Sequence, residues 1–301
     1  MALNQGWTYQ AVMDEATDQP AAAWLAARFA HSSVAEWRRR CSAGEVSVDG
    51  EPLAPDTMLA RGAHVTWVRP PWDEPDVPMT YRVCHEDDSL VVVDKPSGLP
   101  TLPAGGYLTH TLLHLLRQRW PTASPVHRLG RYTSGLVVVA LTSHAGAELS
   151  AAWRTEQVDK EYLALASGRL SIDHIEVTVP IGPVDHPRLG SVHAASPAGR
   201  PARSSVNVLA RSPTFTLCRV RIPTGRPHQI RIHLAALGHP LVGDPLYGPE
   251  GVPRPGSLAL PGDGGYWLHA TRVAFPHPST GARLECVAPC PAEWDAMMSY
   301  A

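Results

Sequence analysis

Short apolar runs rich in β-branched residues recur along this chain, and each is cut off by glycine, proline or a polar cluster. They are "LVVVDKPSG", "GLVVVAL", "KEYLALASG", "HIEVTVPIG", "RSSVNVLA", "TLCRVRI", "HQIRIHLAALG" and "WLHATRVAF". Runs of this length bounded by turn formers read as strands buried on one or both faces. Between them, "HTLLHLLRQRW" has helical spacing and ends before Pro121, and "AGAELSAAWR" reads as a second helix. Many strands with few intervening helices predict an α+β domain built on a large, mainly antiparallel sheet. No internal repeat and no low-complexity segment interrupts the pattern.

A smaller module precedes that domain. "AAAWLAARF" reads as a short helix and "SVAEWRRRCSAG" as a second, stopped by Gly44. "EVSVDGEPL" is an alternating strand with an Asp49-Gly50 turn, and "HVTWV" a closing strand. Arg38, Arg39 and Arg40 crowd the second helix and give it a positive face, either for an anionic partner or as a solvated helix end. "RPPWDEPDVP" then brings four prolines and three acids, the composition of a stiff, solvated linker. The expected organisation is a module over 1–68, a linker over 69–78 and a main domain over 79–301.

Composition narrows the setting. With 44% hydrophobic and 18% charged residues the chain is globular, not disordered. The polar, acid-bearing N-terminus is no signal peptide, and no apolar run reaches membrane-spanning length. Five scattered cysteines make no disulfide framework, and the lone C-x₃-C of Cys286 and Cys290 lacks a second ligand pair for zinc. A reduced, cytoplasmic monomer is expected. Net charge is −2, yet His186 to Gly243 holds no acid and eight arginines. Arginine outnumbers lysine 24 to 2 throughout, which explains the choice of cation but not the missing acids. Such a stretch predicts a positive surface able to steer a polyanion.

The segment "PVHRLGRYTSGLVVVA" packs donors against a buried strand at a density that a turn alone does not need. With "EDDSLVVVDKPSGLP", "DKEYLALASG", "TGRPHQIRIHLAALGHPLVGDPLYG" and "LHATRVAFPHPSTGARLECVAPCP", it closely resembles the RluA-type family of RNA pseudouridine synthases. The likeness runs from Thr80 to Pro291, and the N-terminal module resembles the S4-like RNA-binding domain. The resemblance implies a pseudouridine synthase-type sheet and a reaction without cofactor or metal. A uridine of tRNA or rRNA is flipped into a pocket, its glycosidic bond is broken, and the base rejoins the sugar through C5. It also implies one aspartate after His-Arg-Leu, a position that here is Gly130. Tyr162 corresponds to the family's pocket tyrosine and Arg231 to the basic partner of its aspartate.

No acid lies between Asp94 and Glu148, so a one-residue slip supplies none locally. Asp94 and Asp244 are the acids that folding could bring near. Arg128 and Arg131 flank the glycine and suit phosphate contacts, with Arg226, His228 and Gln229 of the "TGRPHQ" turn as further RNA contacts. His228 and Gln229 read equally as ties that hold that turn. Thr133 and Ser134 read as hydroxyls capping the turn before the strand, Thr133 also counting among the RNA contacts. His127, with no acid adjoining, reads as a structural histidine. Two functions follow: an RNA-modifying isomerase lacking the usual carboxylate, or a silent RNA-binding protein that keeps the fold. A hydrolase using Ser134 fails on pattern, since "YTSG" lacks the leading glycine of G-x-S-x-G.

Overall fold

The computed structural model describes residues 3–14, 18–29 and 31–294. The outer ends of the two expected domains, 1–2 and 295–301, lie outside the described residues. The chain divides into two compact units, one reaching Glu74 and one starting at Pro75.

The first unit runs β1 (Trp7–Val12), α1 (Ala21–Arg28), α2 (Val34–Ser42), β2 (Val46–Val48), β3 (Glu51–Pro52) and β4 (His64–Arg69). Its antiparallel sheet has the order β1-β4-β2-β3. Ser33 and Glu36 close a capping box on α2, satisfying two backbone donors at the helix start. Asp49 and Gly50 both take positive φ, 49° and 92°, as a primed hairpin turn requires. Leu25, Trp37, Val46, Val65 and Trp67 form the core between helices and sheet. Strand β1 was not read from the polar N-terminal segment. The expected linker also begins too early: Glu74 is buried and accepts from Asn4 Nδ2 at 2.8 Å. Trp72 is tied to Asn4 as well, so residues 69–74 finish the first unit instead of spanning solvent.

The second unit contains β5 (Arg82–Glu86), β6 (Leu90–Lys95), α3 (Leu112–Arg119), β7 (Ser124–Pro125), β8 (Ser134–Ala140), α4 (Ser143–Arg154), β9 (Asp159–Ser167) and β10 (His174–Val177). There follow β11 (Ile181–His186), β12 (Gly190–Ala195), β13 (Ser204–Arg211), β14 (Phe215–Arg221), α5 (Gln229–Ala236), β15 (Leu268–Pro276) and β16 (Arg283–Val287). The main sheet runs β10-β13-β14-β9-β15-β8-β6-β5, with β16 on β15 and β7 on β8. Its one parallel pair is β8 with β15. All seven residues of β8 are buried, which is why "SGLVVVA" shows no alternation. "HIEVTVPIG" splits into β10 and β11, which belong to different sheets. "HQIRIHLAALG", grouped above with the strands, is the helix α5 instead. Its Ile230 and Leu234 pack into one core cluster while Ile232 and Ala235 pack into another. A helix buried on both sides carries apolar residues all round, and alternation within it signals nothing about period.

Candidate active site

Strand β8 and the turn before it set the centre of the site. Thr133 N–H donates to Gly130 O at 3.0 Å, closing the turn, and Gly135 at φ 106° lets β8 lie against the backbone of Ala270 in β15. Tyr162 of β9 pairs in register with Ala270, which pairs in turn with Gly135. Tyr162 thus lies two strands from the turn and packs into the clusters that hold Leu129, Tyr132 and Tyr266. Burial pushes its phenol up to about 12, so the hydroxyl keeps its proton at neutral pH.

Gly130 itself is exposed and takes no positive φ, so any residue fits its backbone. A Cβ there would meet just two side-chain atoms within 4 Å: Tyr266 Oη at 2.8 Å and Thr133 Oγ1 at 3.4 Å. Those two hydroxyls are 3.4 Å apart. Tyr266 is buried, with Tyr132 against it at 66° and the Arg231 guanidinium 4.1 Å from its ring centroid. The Gly130 turn, Tyr132, Tyr266 and Arg231 therefore form one connected constellation. Tyr266 was missed from sequence. Its only signal is the preceding Gly264-Gly265, where a Cβ on Gly264 would run into the Tyr132 ring.

Arg231, on α5, is 2% exposed and is not left without a carboxylate. It forks onto Asp244, Nε to Oδ2 at 2.7 Å and Nη2 to Oδ1 at 2.9 Å, and Nη1 donates to Pro261 O. Asp244 Oδ1 also accepts the N–H groups of Leu246 and Tyr247. Both oxygens are thus engaged, and the carboxylate is a clamp with little capacity left for a substrate. Asp94 is paired with Arg82 at 3.1 Å.

The other expected contacts divide. Arg128 is exposed, and its charge helps hold His228 down. His228 caps α5 with φ 55°, a left-handed conformation that is uncommon for a side chain. Its pKa falls to about 3, chiefly through burial and then the Arg231 charge. Since Tyr247 Oη donates to His193 O, His228 Nδ1 donates to Tyr247 and its Nε2 is the bare acceptor. Arg131 is already used: Nε donates to Gly98 O, and the guanidinium lies over Tyr107 and Tyr132. Thr133 is buried, with its hydroxyl toward Tyr266. Arg226 donates to Pro201 O. Gln229 is buried, accepting from Thr224 and Arg226 N–H and donating to Arg203 O and Ser204 Oγ. Its amide ties the turn and offers RNA nothing. His127 accepts from Val138 N–H, stacks on Trp153, and is lowered to about 4 by burial, which fits a structural histidine. Ser134 is buried and bonded to His269 Nδ1 at 2.9 Å, away from any solvent-facing role.

Two charge expectations need correction. Arg38, Arg39 and Arg40 do not share one face, because successive helical residues are turned by about 100°. Arg38 forks onto Asp56, while Arg40 lies over Trp37 and Trp67. Half of the acid-free stretch's eight arginines are paired with acids from elsewhere in the fold. Asp173 pairs Arg211, Glu161 pairs both Arg219 and Arg221, and Asp244 pairs Arg231.

Among the described residues, one group has metal-ligand proximity: His85, Asp87 and His277. His277 Nδ1 accepts the N–H groups of Ser279 and Thr280, so Nε2 carries the proton and donates to Asp87. That arrangement, with His85 Nε2 also on Asp87, locks two turns together. No helix of the described residues is long and apolar enough to cross a membrane.

Residues 89–236 match the family model for RNA pseudouridylate synthase. The chain is 43% identical over 268 residues to an uncharacterized RNA pseudouridine synthase of Synechocystis, covering 88% of this chain and 92% of the relative. It is 38% identical to RNA pseudouridine synthase 5 of Oryza sativa, covering 85% and 78% respectively. It is 34% identical to ribosomal large subunit pseudouridine synthase D of Vibrio parahaemolyticus, covering 92% and 88%. Among solved structures, human RNA pseudouridylate synthase domain containing 1 shares the fold at a TM-score of 0.59 and 24% identity, covering 73% of this chain and 87% of that one. With its α+β sheet, its turn before β8 and relatives that match nearly end to end, this chain belongs to the RNA pseudouridine synthase family.

Proposed function

We propose that this protein isomerises a flipped-out uridine of rRNA or tRNA to pseudouridine, as a cytoplasmic monomer, with Gly130 at the family's aspartate position. The reaction exchanges the N1–C1′ bond for a C5–C1′ bond, and one proton leaves C5 while another joins N1. It balances without an oxidant, a co-substrate or a metal. The observation that carries the proposal is Arg231: buried, neutralised by Asp244, and resting on Tyr266 beside Gly130. The polar groups beside Gly130 are charge-balanced although residue 130 has no side chain. Tyr162 acts as a protonated hydroxyl toward the base, and the Tyr266 hydroxyl takes the carboxylate's place. Arg128 and His228 meet the RNA from the pocket rim, and the S4-like first unit contributes Arg39 and Arg38 to RNA affinity.

The second reading, a silent RNA-binding protein, draws on the same acids: Asp244 is saturated and Asp94 is paired elsewhere. Incubation with total tRNA and rRNA, followed by carbodiimide-dependent reverse-transcription mapping, separates the two. New stops that depend on Tyr266 and Tyr162 support isomerisation. RNA binding with no new stop on any RNA transfers the protein to the binding reading.

A further inference from the structure

The first unit carries an aromatic face that its core does not need. In β1, Trp7, Tyr9 and Ala11 point to one side, opposite Arg69, Trp67 and Val65 of β4. The inner part of that face is covered by α1 and α2, but Trp7 remains 49% exposed and Tyr9 42%. Tyr9 lies flat on Trp67, with centroids 5.0 Å apart and planes within 18°. Guanidinium groups interleave with the rings: Arg40 lies 4.4 Å from Trp67 and 4.6 Å from Trp37, and Arg69 lies 3.4 Å from Trp72. His31 lies near-parallel to Trp67 at 5.8 Å, and burial together with Arg40 and Arg69 holds its pKa below the ordinary range. The nearby acids are already engaged, Glu45 by the Trp67 indole N–H and Glu36 by the capping box.

We infer that the exposed β1 face, Trp7 and Tyr9 flanked by Arg69 and Arg40, is a stacking platform for unpaired RNA bases. Flat aromatic surface alternating with planar cations suits a single strand: bases stack on the rings while guanidiniums meet the phosphates. An apolar protein ligand would call for aliphatic side chains, which this face does not expose among its outward positions. The inference rests on RNA being the partner, as proposed above. It adds a contact region centred on strand β1, with Arg40 of α2 at its flank.

Affinity of the full chain for a short, unstructured uridine-rich RNA tests it, with the same length of hairpin duplex as comparison. Trp7→Ala and Tyr9→Ala are each expected to weaken single-strand binding about tenfold and duplex binding much less. Tyr9→Phe keeps the ring and is expected to bind as wild type, as is Thr8→Ala on the opposite face of β1. Part of the tryptophan fluorescence is expected to quench on RNA addition, and that part disappears in Trp7→Phe. Trp7 lies at the open edge, so this arm holds even if Tyr9→Ala loosens the packing on Trp67. Unchanged single-strand affinity in Trp7→Ala and Tyr9→Ala overturns the inference. So does an equal loss on duplex, or a self-association that these variants abolish while RNA binding persists. None of these readouts needs turnover, so a failure to form pseudouridine leaves this test intact.

Discussion

At residue 130 the question is what occupies the space above the glycine. Tyr266 Oη stands 2.8 Å from where a Cβ would begin, and its ring is pinned between Tyr132 and Arg231. Gly130→Asp alone is therefore expected to strain the site by about 1–3 kcal/mol and not to raise turnover. Tyr266→Phe is expected to lower pseudouridine formation about a hundredfold or more, by removing the hydroxyl that can exchange a proton. The pair Gly130→Asp with Tyr266→Phe makes room for a carboxylate beside Arg231 and is expected to recover formation beyond either single variant. Reverse-transcription mapping over a time course reads all three, and a fully active, unstrained Gly130→Asp refutes the steric argument. Asp244→Ala leaves Arg231 buried and uncompensated, at a cost of about 3–5 kcal/mol in urea unfolding. The sequence showed a glycine after His-Arg-Leu, and it offered Asp94 and Asp244 as the acids that folding could bring near. It did not reveal that Asp244 spends both oxygens on the fold, because saturation depends on the N–H groups of Leu246 and Tyr247 and on how α5 docks. Nor did it reveal Tyr266, whose only local mark is the preceding Gly264-Gly265.

Among the elements, the junction of β8 with β15 positions everything else. Gly135 faces the backbone of Ala270 closely enough that a Cβ would lie 2.6 Å from its N atom, and φ is 106°. Gly135→Ala is therefore expected to break the parallel pairing, with loss of several kcal/mol or failure to fold. Wild-type urea stability in that variant would show that the sheet tolerates separation there. Strands with β-branched runs and clear stops, such as β6 and β8, were legible because burial on both faces writes itself into composition. Helix α5 was not, since its alternation of Ile230, Ile232 and Leu234 serves two cores on opposite sides. Strand β1 was hidden too: five of its six residues are exposed, so no buried face shows in the sequence.

For the whole molecule, the sign of the charge pattern misled where its chemistry did not. Four of the eight arginines of the acid-free stretch, Arg211, Arg219, Arg221 and Arg231, find acids in space at Asp173, Glu161 and Asp244, the first three through strand pairing and Arg231 through the docking of α5. The titrating groups that matter for stability are instead buried histidines. His127 is held at about 4 and His228 at about 3, both chiefly by burial, against an ordinary value of about 6.5. Below about pH 6.5 the unfolded chain takes up protons at these positions and the folded chain does not, so acidification favours unfolding. Their contribution is complete above that pH and is lost progressively toward pH 4. Asp87 acts in a lower window. Burial opposes its ionisation, yet hydrogen bonds from His85, His277, Ser89 and Leu90 outweigh that and depress its pKa. Its contribution is therefore lost only below the usual carboxylate range. The urea midpoint is expected to fall between pH 7 and pH 4.5, by an amount equivalent to several kcal/mol. His127→Gln, whose amide oxygen can accept Val138 N–H without titrating, is expected to flatten that slope. An identical slope in the variant would mean that His127 already titrates in the folded protein, and that the stack on Trp153 opens to water.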